Sequence, residues 1–244
     1  MSVAPEHLVK SYDLELKRLG NLITEMGGMV ESQVALAATA ITERDTEAAM
    51  RVVEGDPKVD AIEREVEQFV IRLLALRQPM AADLRNIVAA LKITGDLERI
   101  GDYAANVAKR SVVLSQFSLS LSLSGLSHMA QLVQANLKLI IDAVSENDAD
   151  KAIQVWRSDQ MIDDLYNTVF RELITYMMED PRNITPCTHL LFIAKNLERI
   201  GDHATNIAET VHYAVTGEPL TEARPKGDTS SYAVVRPRDP GLGQ

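Results

Sequence analysis

A chain of 244 residues is long enough for one large domain or two smaller ones, and 46% apolar residues with only 5% aromatics point to packed helices rather than sheets. The net charge of −10 excludes a general nucleic-acid binder, which needs a basic surface to displace counterions from phosphates, and no basic amphipathic stretch marks a membrane-surface helix. The single cysteine, Cys187, excludes an intrachain disulfide and any Cys-rich metal site.

The N-terminal stretch has no apolar core of signal-peptide length, and no run approaches a membrane span, so a cytoplasmic protein is expected. From His7 to about Thr42, Leu16, Leu19, Ile23, Met26, Val30 and Val34 recur at three- and four-residue steps, which predicts one long helix with a narrow apolar seam. Asp45 is then placed to cap a second helix, running through VVEGDPKVDAIEREVEQFVIRLLAL and open to a break or a kink at Gly55 to Pro57. The segment RQPMAADLR supplies a turn, and a third helix follows from about Pro79 to beyond Val107.

The same plan then repeats. HMAQLVQANLKLIIDAV reads as a helix, SENDADKAIQVW parallels TERDTEAAMRVV, and EDPRNITPC makes the turn into a last helix that ends near Gly217. Residues 91–110 and 191–210 are identical at 11 of 20 positions without a gap, so the chain is a duplicated three-helix unit. The expected fold is all-α: a first bundle over 1–118, a second over 119–217 and a flexible tail over 218–244. The Leu/Ser alternation in LSQFSLSLSLSGLS has a strand period but no second strand to pair with, and reads as helix extension plus connector. Eight of the last 28 residues are Gly or Pro, which suits a tail better than a bundle.

Each repeat places two acidic pairs at i,i+4 spacing on adjacent helices: Asp56 with Asp60 and Glu98 with Asp102, then Asp159 with Asp163 and Glu198 with Asp202. Such a pair lies on one helix face, and antiparallel neighbours can bring two pairs together. Four unneutralised carboxylates cannot share a small volume, so they take up protons, pair with bases or bind cations. Arg99 and Arg199 point about 100° away from their acidic neighbours on a helix and are not natural partners for them. Oxygen donors, with Asn106 and Asn206 one turn on, form a hard-ligand set suited to Mg, Mn, Ca or Fe rather than structural zinc. Spacing alone leaves open both a metal and salt-bridged or solvated acids, and Asp56 before Pro57 is also a good helix N-cap.

Gly101 and Gly201 cost their helices stability but let a neighbouring helix or ligand approach closely. His203 corresponds to Tyr103 and reads as a packing or hydrogen-bonding residue; Cys187 and His189, with no third ligand, read as structural. No Gly-rich phosphate loop, nucleophile elbow or HExxH motif occurs, and LERIGD lacks the histidine of a di-iron Glu-x-x-His pair.

YDLELKRL, EMGGMVE, QPMAADLR, DLERIGDYAANVA and NLERIGDHATNIAETVHYAVTG, in that order and with that duplication, resemble the PhoU family of bacterial phosphate-signalling regulators. The resemblance covers the bundle region and not the tail after Gly217. It implies a cytoplasmic, non-enzymatic negative regulator of phosphate uptake and the phosphate-starvation response. The implied partners are the phosphate ABC transporter's ATPase subunit and the phosphate-sensing histidine kinase; the sequence leaves the oligomeric state open, a homodimer among the options. Some family members bind multinuclear metal clusters through E/D-x-x-x-D motifs, which fall here on Glu98 with Asp102 and Glu198 with Asp202, faced by Asp56, Asp60, Asp159 and Asp163. The rival readings are a metal-dependent carboxylate-bundle enzyme, either oxidase or phosphoesterase, and a purely structural helical scaffold.

Overall fold

The computed structural model describes residues 4–117, 121, 123–222 and 224, with side chains from Ser11 onward. Six helices occupy nearly all of that span: α1 (Ala4–Thr42), α2 (Thr46–Arg77), α3 (Ala81–Leu114), α4 (Ser124–Glu146), α5 (Ala149–Glu179) and α6 (Ile184–Thr216). One 3-10 turn, Pro181–Asn183, precedes α6, and no strand occurs among the described residues.

Local chemistry sets the helix ends. Asp45 accepts the Ala48 N–H at 2.9 Å and caps α2, and Asp148 accepts the Asp150 and Lys151 N–H groups and caps α5. The residue before each cap, Arg44 or Asn147, turns through a positive φ, so the two repeats share their loop geometry as well as their helices. Gly217, with φ 78°, ends α6 and donates its N–H to the Tyr213 carbonyl, as the sequence predicts. The α3–α4 join runs between Leu114 and Ser124; residues 118–120 and 122 of the Leu/Ser stretch lie outside the described residues.

The second helix does not break at Gly55 to Pro57. It is continuous from Thr46 to Arg77 with Pro57 inside it, so Asp56 is an interior residue and not an N-cap. Buried Val52, Val59 and Val66 lie on either side of the proline, and their packing outweighs the lost backbone hydrogen bond.

In each half three helices pack mutually, α1 with α2 and α3, and α4 with α5 and α6. The halves then join through α3 against α6 and α1 against α4, so one continuous core runs through both, with Met26, Ile100, Leu137 and Leu197 fully buried. At the α1–α4 contact Gly27 leaves room for Ile141, whose Cγ2 lies 3.2 Å from where a Cβ would stand. Across the α3–α6 contact, His203 Nδ1 lies 2.7 Å from Asp96 Oδ1, and its ring packs 5.6 Å from that of Tyr103. His203 therefore has the hydrogen-bonding and packing role its sequence position suggests.

Residues 218–222 and Arg224 lie against the second repeat. The Glu218 carbonyl bonds to His212 Nδ1 at 3.0 Å, and Leu220 packs on the core. The remainder of the expected tail, 223 and 225–244, lies outside the described residues. No helix among the described residues is long and apolar enough to cross a membrane.

Candidate functional site

In the first repeat, α2 carries Asp56 and Asp60 and α3 carries Glu98 and Asp102. The packing of α2 on α3 makes them electrostatic neighbours. Burial, then the charges of Asp102 and Asp60, push the Asp56 carboxyl above the usual carboxylate range. Burial and Asp102 do the same to Glu98, with Arg99 opposing, and Glu63 joins the group from α2, raised by burial, Glu67 and Asp60.

Arg99 does not point away from its acidic neighbours as its place on the helix suggests. Its long side chain curls back over the helix to Glu98 Oε2 at 3.4 Å and Asp102 Oδ2 at 3.5 Å. Both contacts are longer than a charge-assisted hydrogen bond, and the guanidinium is 58% exposed, so it neutralises the patch weakly. Asp56 and Asp60 make no ion pair with any described residue.

Beneath this patch lies Gln33 of α1, 5% exposed, with neither amide atom hydrogen-bonded. A Cβ on Gly101 would stand 3.1 Å from Gln33 Oε1 and 3.8 Å from Asp56 Oδ1, so the missing side chain leaves a notch that both oxygens border.

The second repeat is built differently on the same frame. Asp159 and Asp163 of α5 and Glu198 of α6 are buried, and Asp202 stands beside them. Arg224 Nε donates to Asp159 Oδ2 at 2.9 Å, and its Nη2 pairs with Asp202 Oδ1. Its Nη1 reaches Asn206 Oδ1 at 3.3 Å. The Thr205 hydroxyl lies 3.1 Å from Asp159 Oδ1. Lys195 Nζ donates to Glu198 Oε1 at 2.8 Å and sits 4.8 Å from the centre of the Tyr166 ring. Under Gly201 the notch is filled: Ile162 Cδ1 is 2.8 Å from where a Cβ would be.

The acids predicted from spacing thus fall into two patches, one per repeat. Among the described residues no group of three or more His, Cys, Asp or Glu side chains is gathered as a ready metal cage. The donor chemistry of the first patch still fits an oxygen-seeking cation, since it joins repelling carboxylates to an orphaned buried amide. The second patch holds a guanidinium and an ammonium against its acids and does not fit one as it stands. Cys187 is fully buried, and burial pushes its thiol up, which suits packing; His189 lies 3.5 Å from Arg110.

Spacing did not single out Glu63, Gln33, Lys195 or Arg224. A position-by-position comparison of the repeats finds two of them, because Gly95 and Glu63 correspond to Lys195 and Tyr166.

Six helices in two matching three-helix units, with acidic pairs on the matching helix pairs, define a class of duplicated all-α bundles. The PhoU domain model matches twice, over residues 23–111 and 126–211. A phosphate-specific transport system accessory protein PhoU homolog of Caulobacter vibrioides is 53% identical over 227 residues, spanning 93% of this chain and 99% of the relative. The corresponding protein of Rhizobium meliloti is 46% identical over 226 residues, 92% of this chain and 95% of its own. The crystal structure of PhoU from Pseudomonas aeruginosa superposes with a TM-score of 0.83 at 41% identity, over 85% of this chain and all of that one. That of the Streptococcus pneumoniae phosphate transport system regulatory protein PhoU gives 0.80 at 31% identity, over 86% of this chain and 100% of that one. This chain belongs to the PhoU family.

Proposed function

We propose that this protein is a non-enzymatic accessory regulator of phosphate-specific transport. It joins the transporter's ATPase subunit to the phosphate-sensing histidine kinase in the cytoplasm and holds the phosphate regulon down when phosphate is plentiful. The observation that carries this reading is the paired domain match together with near full-length similarity to proteins named as accessory to that transport system. The carboxylates Asp56, Asp60, Glu98 and Asp102 are the residues through which Mg, Mn, Ca or Fe would be held; Asp159, Asp163, Glu198 and Asp202, expected to hold a second ion, have Lys195 and Arg224 against them instead. A bound cation supplies positive charge that turns a repulsive acidic face into one that accepts acidic or phosphate-bearing surfaces.

Co-purification of tagged protein from cells grown in high phosphate tests the adaptor role. Recovery of both the ATPase subunit and the kinase is expected, with loss of repression when the gene is deleted. Recovery of neither, with unchanged repression, overturns it. Sedimentation of the purified chain tests the accompanying homodimer, which a purely monomeric species would rule out.

A further inference from the structure

The seam between α3 and α6 is open at the end where α3 begins. There Leu84, Val88 and Leu91 recur at i, i+4 and i+7, and with Tyr213 of α6 they are between 39% and 44% exposed. Such spacing is the core-facing stripe of an amphipathic helix, yet these side chains keep their exposure in the described fold. Leu84, Val88, Tyr213 and Leu220 line a groove of about 570 Å³ between the two helices and the turn after α6. Gly95 continues the stripe by one turn, with nothing within 4 Å of a Cβ built there. In the matching helix of the second repeat the stripe is lost. Thr188 stands for Val88 and Phe192 for Lys92, and Arg110 stacks on the Phe192 ring 4.1 Å from its centre.

On a chain of net charge −10 this groove is a basic island. Arg85 and Lys92 border it, two turns apart on α3, and neither makes an ion pair with any described residue. Arg85 Nε is buried without a hydrogen-bond partner, and the guanidinium sits against Gly217, where a Cβ would stand 3.6 Å from Cζ. The last carbonyls of α6 favour a cation at that place and hold Arg85 at the groove. The neighbouring acids are engaged elsewhere. Glu209 accepts the Trp156 Nε1–H at 3.2 Å, and Asp96, one turn beyond Lys92, lies 2.7 Å from His203 Nδ1.

An apolar strip with cations along one edge is complementary to an apolar strip edged with acids. Backbone hydrogen bonding decides the form of the occupant. The groove's helical walls have spent their N–H and C=O groups internally, and no strand edge occurs among the described residues, so an extended peptide finds nothing to pair with. A helix satisfies its own backbone and presents side chains at the spacing the groove offers. From Leu84 to Gly95, α3 runs about 16 Å, room for about three turns of a helix laid along it. Resting on the reading of this chain as an adaptor, we propose that the groove receives one partner protein through an amphipathic helix with Asp or Glu along the edge of its apolar face. Its acids meet Arg85 and Lys92, and its apolar side chains fill the space over Val88 and Gly95.

Selection from a phage-displayed library of amphipathic helices on the full chain tests this, followed by fluorescence anisotropy with the enriched peptides. Acid-edged sequences are expected. K92E, at an exposed position, should weaken them, and R85E/K92E should do so by about tenfold or more, since it sets like charges against each other. Exchanging the peptides' acids for lysine should restore binding to the double variant. No enrichment, enriched sequences without an excess of acids, or affinities that K92E and R85E/K92E leave unchanged would overturn the assignment and leave the adaptor reading intact. Binding to phosphatidylserine vesicles that R85E/K92E abolishes, with no peptide selected, would overturn it in favour of a lipid surface. If acid-edged peptides bind as expected while the unaltered chain recovers neither the ATPase subunit nor the kinase, the groove keeps its helix specificity and the adaptor reading falls.

Discussion

Arg224 Nε donates to Asp159 Oδ2 at 2.9 Å, so a residue beyond the last helix is tied to a buried carboxylate in the middle of α5. Asp159 is 3% exposed on its side chain and Arg224 16%, so solvent screens the pair little. Removing the guanidinium leaves Asp159 with the Thr205 hydroxyl and Asp202 with a buried like charge beside it. Arg224→Ala should therefore destabilise the protein by about 3 kcal/mol, the lower end for breaking a buried pair. The sole tryptophan, Trp156, offers a second readout. It is 4% exposed and borders the same cavity as Pro219 and Leu220, so loosening that segment should shift its emission to the red. Urea unfolding and fluorescence check both; wild-type stability with unshifted emission would contradict the coupling.

The first patch predicts the opposite sign. Burial, then Asp102, holds Glu98 above the usual carboxylate range, and burial with Asp102 and Asp60 does the same to Asp56. A carboxyl raised on folding contributes its full stability below the unfolded pKa and loses it as pH rises through the folded one. In metal-free protein, Asp56→Asn and Glu98→Gln should thus be stabilising at neutral pH, by roughly 0.2–0.5 kcal/mol for each like-charge pair removed. The gain should shrink as pH falls and be lost by about pH 3, below the ordinary carboxylate pKa values, where both the folded and unfolded acids are protonated. Denaturant curves in chelator at the two pH values test it, and an offset that ignores pH would show that repulsion is not the cause.

Pro57 gives a prediction about the frame beneath the patch. Its ring leaves the Val53 carbonyl without its i+4 donor, and a proline inside a helix costs about 3 kcal/mol relative to alanine. Proline also restricts the unfolded chain, which offsets up to about 1 kcal/mol of that. Pro57→Ala should stabilise the protein by roughly 1–2 kcal/mol, since Pro57 is exposed and alanine removes no core contact. Gln160, at the matching position of α5, shows that the frame does not require proline. A lower melting temperature for this variant would mean that the proline sets a bend the packing needs.

The helices were legible because their apolar spacing, Asp45 and Gly217 are local signals, and local signals survive into the folded state. The acidic pairs were legible for the same reason, each being a one-turn relation repeated in both halves. Local signals left the course of the chain at Gly55 to Pro57 open, because Val52, Val59 and Val66 are held by tertiary packing that no local rule sees. Arg99 was misread because a backbone direction of 100° says little about a side chain long enough to curl back. Gln33 and Arg224 reach their patches across 68 and 65 residues, to Gly101 and Asp159, and such pairings are written in the fold alone.

Gly101 and Gly201 occupy the same place in the repeat and should respond differently to a methyl group. A Cβ on Gly201 meets Ile162 Cδ1 at 2.8 Å and its Cγ2 at 3.4 Å, and Ile162 is 1% exposed, with no solvent to retreat into. Overpacking a core of this kind costs about 1–3 kcal/mol, against about 1 kcal/mol gained in helix propensity. Gly201→Ala should therefore be destabilising by roughly 1 kcal/mol, and adding Ile162→Val, which removes the clashing Cδ1 and places Val59's residue type there, should recover most of it. On Gly101 the nearest atom is Gln33 Oε1 at 3.1 Å, the end of a side chain with no hydrogen bond to hold it. There the propensity gain should offset the crowding, leaving Gly101→Ala near neutral in stability while it narrows the notch that Gln33 and Asp56 border. Thermal unfolding of the three variants separates the cases: equal losses at both glycines, or no rescue by Ile162→Val, would mean that the contact with Ile162 does not set the difference.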